Sequence, residues 1–137
     1  MLYQIDVDYG LENEKICFEK IQNFFNNEKL EKLDYYNDFD FTNNNNLLIE
    51  LKSRRCKITD FSDTMISISK INKAKKLVKN KDKKFQIYFF FYYLPSELYY
   101  WKYDKNIILR IDDNCNYRGI RKAYAYIDTK LLTKLIN

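Results

Sequence analysis

Apolar residues recur at helical spacing across residues 11–26. Leu11, Cys17, Phe18, Ile21, Phe24 and Phe25 fall on one stripe, with Glu12, Lys15, Glu19, Gln22 and Asn23 opposite. This is the pattern of an amphipathic helix with one face in a core. Glu14 breaks it. It lies on the apolar stripe, where an unpaired carboxylate is costly to bury. Either it has a partner, or it sits at the stripe's edge near the helix start, where the helix dipole favours it.

Two short extended runs, 38–42 and 47–52, flank the tetrapeptide NNNN and predict a hairpin. The stretch SRRCKITDFSDTMI reads as a polar loop with some extended character. A second helix follows over 68–79, with Ser67 or Ser69 as its cap and Ile68, Ile71, Ala74 and Val78 as its buried stripe. FQIYFFFYY is nearly continuous apolar and aromatic, as expected of a central strand buried on both faces. LPSE turns the chain and LYYWKY returns as a neighbouring strand. Beyond NIILRI the pattern predicts a polar loop, then AYAYI as a short strand. DTKLLTKLI reads as a C-terminal helix capped by Asp128. No repeat or linker interrupts this order, so one domain over 1–137 is expected. Its class is α/β, a two- or three-layer sandwich on a mixed central sheet flanked by helices.

Composition narrows the chemistry. There is no histidine among the 137 residues, which removes His-based dyads and triads and most zinc hydrolase sites. The only glycines are Gly10 and Gly119, too few for a Walker-type phosphate loop or a dinucleotide fingerprint, so no nucleotide cofactor is expected. No apolar run has the length of a membrane span, and no basic segment followed by an apolar one marks a signal peptide. Cys17, Cys56 and Cys115 are odd in number and scattered, which suggests free thiols in a reducing compartment. An intracellular, non-secreted protein is the expectation.

Charge is segregated. Through Leu51 there are four basic residues against eleven acidic; from Lys52 to Lys84 there are twelve basic against three acidic. An acidic third followed by a basic third suggests a cation site beside an anion-binding face. The alternative is a solvated lysine-rich helix. The heavy use of Lys, Asn, Ile, Phe and Tyr also looks like an AT-rich coding background, which discounts the lysines and asparagines as signals.

Within LLIELK, alternation puts Leu47, Ile49 and Leu51 on one face and Leu48, Glu50 and Lys52 on the other. A carboxylate can hold a hard divalent cation, and a neighbouring ammonium can orient a water. Asp40, on the partner strand, and Glu14, on the first helix, could add carboxylates. Mg²⁺ held by one to three carboxylates suits phosphodiester hydrolysis. Arg54, Arg55, Lys70 and Lys73 could then contact a phosphate backbone. One geometric condition is strict. If NNNN forms a regular even-numbered loop, Asp40 faces Ile49 and points away from Glu50. The site needs an odd loop, a bulge or a twist in TNNNN. Asp38 shares the parity of Asp40 and is its rival. The aromatic stretch 85–103 could stack bases, Trp101 and Tyr103 bordering a groove, but core packing explains it more simply.

The string FDF…LLIELKSR resembles the core motif of the PD-(D/E)XK nuclease superfamily: an Asp, a hairpin turn, then hydrophobics leading into Glu-x-Lys. The opening YGLENE is similar to the start of archaeal Holliday-junction resolvases and phage-type exonucleases of that superfamily. The pattern YG…E…DF…IELKSR…TMI…KI.KAKKL…LYYWKYD resembles small stand-alone members carried by large DNA viruses. The resemblance covers roughly residues 9–103. It implies a restriction-endonuclease-like core, a DNA substrate, Mg²⁺ or Mn²⁺ as cofactor and 5′-phosphate products. It implies Asp40 and Glu50 as metal ligands and Lys52 as the water-positioning or transition-state lysine. Glu14 would be an auxiliary carboxylate and metal ligand, and Lys70 the second-helix residue. Phe39 stands where the nominal motif has Pro. Resolvases of the superfamily act as dimers; no dimer signature is visible here, which leaves a homodimer open.

Overall fold

A computed structural model describes residues 2–34, 37–117 and 119–136. In chain order the elements are α1 (Leu2–Phe24), β1 (Glu31–Lys32), β2 (Phe41–Thr42), β3 (Leu47–Ser53), β4 (Asp63–Ser67), α2 (Ile68–Val78), β5 (Gln86–Tyr93), β6 (Glu97–Lys102), β7 (Arg110–Tyr117), β8 (Ile120–Asp128) and β9 (Thr133–Lys134). Short 3₁₀ turns occupy Ile58–Asp60 and Thr129–Leu131. The strands form two sheets, one of six strands in the order β1-β2-β3-β5-β6-β9 and one of three in the order β4-β8-β7. The larger sheet is mixed: β3 and β5 run parallel, and its other pairings are antiparallel.

Strand alternation divides the core in two. Leu47, Ile49 and Leu51 of β3, with Phe90 and Tyr92 of β5, pack against Cys17 and Ile21 of α1. Ile87, Phe89 and Phe91 of β5 point the other way. They meet Ile71 and Ala74 of α2, Ile66 of β4, and Ala125 and Ile127 of β8. The result is three layers: α1, the six-stranded sheet, then α2 with the smaller sheet. Strand β5 is buried on both faces, which is why its sequence is a continuous apolar run. Trp101 and the β5 aromatics from Phe89 to Tyr93 are core, and Trp101 stacks on Phe89 at 5.9 Å.

Several expectations are corrected. The first helix begins at Leu2, not Leu11. A lone glycine inside a helix costs about 1 kcal/mol relative to Ala and need not end it. Beyond its chain neighbours and the helix's own backbone, no atom lies within 4 Å of where a side chain at Gly10 would begin. The polar stretch after NIILRI is not a loop but β7, one arm of a hairpin closed by Gly119 at φ +76°. The C-terminal helix is replaced by a 3₁₀ turn and the two-residue strand β9. Asp128 does cap, accepting a hydrogen bond from the Lys130 N–H at 2.9 Å. Ser67 occupies the N-cap of α2 but makes no capping bond; its hydroxyl pairs with that of Ser69. Cys17 and Cys56 are free thiols, and burial pushes the Cys17 thiol up to about 12. The Cys115 side chain lies outside the described residues.

Candidate functional site: a carboxylate cleft at the C-terminal end of β3

The asparagine turn decides the site. Phe41 pairs with Ile49 and Thr42 with Leu48, so the hairpin register extends to Asn43 facing Leu47. The Asn43 N–H meets the Leu47 carbonyl at 3.4 Å, leaving a three-residue loop, Asn44–Asn46. Side chains explain the odd length. Asn43 Oδ1 accepts from the N–H groups of Asn45 and Leu47, both at 2.9 Å. Thr42 Oγ1 donates to the Leu47 carbonyl at 2.8 Å and accepts from the Asn44 N–H at 3.1 Å. Asn44 takes φ +62°, a left-handed conformation that Asn tolerates better than most residues. Outside the turn, Glu28 and Glu31 accept from the side chains of Asn43 and Asn44.

A second irregularity follows at the other end of β2. The Asp40 N–H bonds to the Ile49 carbonyl at 2.8 Å, although Ile49 is already the register partner of Phe41. Two residues facing one is the arrangement of a β-bulge, which re-aims side chains. Asp40 Oδ2 then accepts from the Leu51 N–H at 2.7 Å, along the edge of β3. There the Asp40 carboxyl adjoins those of Glu50 and Glu14, near enough for both to raise its pKa. Asp38, the rival, is exposed, and its carboxylate lies 3.9 Å from Lys73.

The three acids line a cleft of about 1080 Å³ together with Lys52, Arg54, Arg55 and Lys70. Glu50 is buried. Its Oε2 lies 2.9 Å from Lys70 Nζ, yet the approach lacks hydrogen-bond geometry, so this is a charge contact to an otherwise unpartnered oxygen. Lys70 also donates to the Asp38 carbonyl and lies over the Phe39 ring. Glu14 is paired with Lys32 at 3.2 Å. Burial, then the adjoining Glu50, then Glu14, hold the Asp40 carboxyl far above the usual carboxylate range, at about 9, against the lowering effect of the Leu51 N–H.

Metal fit can be judged from these contacts. Among the described residues, no group of three acidic or thiol side chains stands in a ready-made metal-holding arrangement. The donors are instead turned to substitutes: Glu50 to Lys70, Glu14 to Lys32, Asp40 to Leu51 and its neighbouring acids. Three crowded acids, with Asp40 held well above its usual range and one Glu50 oxygen lacking a donor, carry an excess of acceptors that a hard divalent cation would satisfy. The donor chemistry therefore fits Mg²⁺ or Mn²⁺, with Asp40, Glu50 and Glu14 as the oxygens available.

The remaining residues separate. Lys52 is exposed, lines the cleft and makes no ion pair among the described residues. Arg54, expected at a phosphate, is committed to the fold. Its Nε donates to Thr64 at 2.9 Å, a terminal nitrogen donates to the Met65 carbonyl, and the guanidinium lies 5.6 Å from the Phe91 ring. Arg55 stacks on Tyr9 at 4.4 Å. Lys73 does not line the cleft. The sequence reading missed Tyr9, Lys32, Asp34 and Asn37 as lining residues. Tyr9 arrives only because α1 runs on past Gly10; Lys32 sits in the two-residue strand β1, and Asp34 and Asn37 on irregular backbone, none of which periodicity marks.

No protein-family model matches the chain, and neither does any curated protein or solved structure. No helix among the described residues is long and apolar enough to cross a membrane.

Proposed function

We propose that this chain is a metal-dependent DNA nuclease with a restriction-endonuclease-like core. The observation that carries the reading is the meeting of Asp40, Glu50 and Glu14 in one cleft beside Lys52. The element order supports it: a Glu-bearing helix, a hairpin bearing Asp and Glu-x-Lys, a Lys-bearing helix, then a strand parallel to the hairpin's second strand.

Asp40 and Glu50, helped by Glu14, would hold Mg²⁺ or Mn²⁺. When bound, such an ion supplies Lewis-acid stabilisation at a phosphate oxygen and acidifies a water. Lys52 donates a hydrogen bond to the attacking water beside the phosphate. Lys70 lies against the buried Glu50 carboxylate in the metal-free chain and contributes positive charge at the cleft wall. Arg55 and Lys52 attract the strand. Arg54 fixes the wall by tying β3 to β4. The protein acts on DNA inside a cell.

Purified protein should cleave DNA in Mg²⁺ or Mn²⁺ and leave 5′-phosphate ends. Lys52→Ala should lower the rate on the order of 10²–10³-fold, as removal of a positioned donor does, and Glu50→Ala at least as much. Cleavage retained in both variants rejects the mechanism. A second reading, a nuclease-like module that binds DNA without cutting it, draws on the Lys70–Glu50 contact, which could occupy the site permanently. Salt-sensitive DNA binding without cleavage under any divalent ion would favour it.

A further inference from the structure

Beside the carboxylate cleft lies a second pocket of about 280 Å³. Its walls are largely apolar and aromatic: Phe61, Met65, Tyr93 and Tyr126, with Ile58 and Cys56. Its volume falls just below the roughly 300–1,000 Å³ usual for small-molecule sites, so it suits one planar ring system rather than a whole nucleotide or a peptide. Tyr93 is buried, and its Oη has no hydrogen-bond partner among the described residues, an unmet donor in the pocket wall. Phe61 is 65% exposed. A large aromatic left in water at the lining of an aromatic pocket is a stacking surface without its partner.

Position says what the partner is. Arg54 lines both the pocket and the cleft, so the two cavities share a wall. That wall is rigid, because its guanidinium is fixed to Thr64 and Met65. Lys57, exposed in the pocket lining, adds positive charge where a backbone would pass.

We infer that this pocket receives an unstacked nucleobase of the strand whose phosphate lies in the cleft, with Phe61 stacking on it. The inference rests on the nuclease reading and names its substrate class: DNA with an unpaired nucleotide next to the scissile phosphate. Such bases cost little to splay out, because no pairing is lost. Every base has a π face, so the contact tolerates any sequence.

The test compares a single-stranded oligonucleotide with an abasic phosphodiester of the same length, using metal-free full-length protein. Phe61→Ala should weaken binding of the oligonucleotide by roughly tenfold, within the range of base–aromatic stacking, and leave the abasic polymer unchanged. Because Phe61 is exposed, its removal should leave the melting curve in place. In Phe61→Trp, the oligonucleotide should quench the new indole fluorescence and the abasic polymer should not. Equal effects of Phe61→Ala on both polymers, or no quenching by the oligonucleotide, overturn the inference; Mg²⁺-dependent cleavage surviving alongside leaves the nuclease reading standing. A protein that neither binds nor cuts DNA overturns both.

Discussion

At the Leu47 end of β3, Lys83 and Lys84 stand in solvent beside the asparagine turn, with the exposed Lys79 and Lys81 just before them in the chain. At the Ser53 end, Lys52, Arg54, Arg55 and Lys70 line a cleft around a buried carboxylate. The parallel register fixes this separation, since Leu47 pairs with Gln86. Lys83 Nζ reaches the Asn45 carbonyl at 3.0 Å, and Asn46 Nδ2 donates to the Lys84 carbonyl at 3.1 Å. With a strand rise of about 3.3 Å per residue, the two basic groups stand some ~15 Å or more apart. A charge run continuous in sequence is therefore two groups in space. Only one of them adjoins chemistry.

The sharpest way to break this contrast is to change the turn rather than the site. Deleting Thr42 keeps the three-residue loop but slips β2 by one residue against β3, turning Asp40 away from Glu50. Cleavage should fall as far as in Glu50→Ala, with the far-UV spectrum unchanged. A deletion variant that still cuts DNA would show that Asp40 is dispensable.

Lys70→Met strands Glu50 as a buried, unpaired carboxylate. Removing one partner of a buried pair costs about 3–5 kcal/mol, and denaturant unfolding without divalent ions should show a loss of that order. Mn²⁺ should recover much of it by taking the place of the ammonium. No recovery would argue that the carboxyls do not hold a cation.

The pH dependence is a smaller effect with a definite sign. Asp40 keeps its proton in the folded chain up to about pH 9, against an ordinary value of 3.8. Between those values the folded state binds more protons than the unfolded state, so stability falls as pH rises through that window. Asp40→Asn should flatten this slope in metal-free protein and raise the melting temperature at pH 8 by more than at pH 5. The smallest effect belongs to the distal lysines. Lys81→Ala with Lys84→Ala should alter DNA affinity by no more than a few-fold at physiological salt and leave the cleavage rate unchanged.

How much of this was legible in the sequence depended on burial. β5 and α2 were plain because both bury apolar residues at their own periods. β7, RIDDNCNY, was not, since it is an edge strand held by pairing to β8 rather than by apolar alternation. The C-terminal DTKLLTKLI carries a helical pattern, yet its residues 133–134 pair with β6, and tertiary pairing overrides the local preference. In the site, Glu50 and Lys52 could be placed by alternation alone. Whether Asp40 could join them was open, because loop parity depends on the Asx and Thr contacts inside TNNNN. The role of Arg54 was misread for a related reason: nothing local signals that its partners lie ten residues further on, in β4.

The hydrogen bond from the Leu51 N–H to Asp40 Oδ2 has one more consequence. It makes a main-chain amide in the middle of β3 a reporter on a side chain of the cleft. Any ligand that draws the Asp40 carboxyl away deprives that amide of its acceptor. Its proton resonance should move upfield and its exchange with solvent should quicken, while amides of β5 stay silent. A single backbone signal would thus count occupancy of the site, with no need for a substrate that turns over.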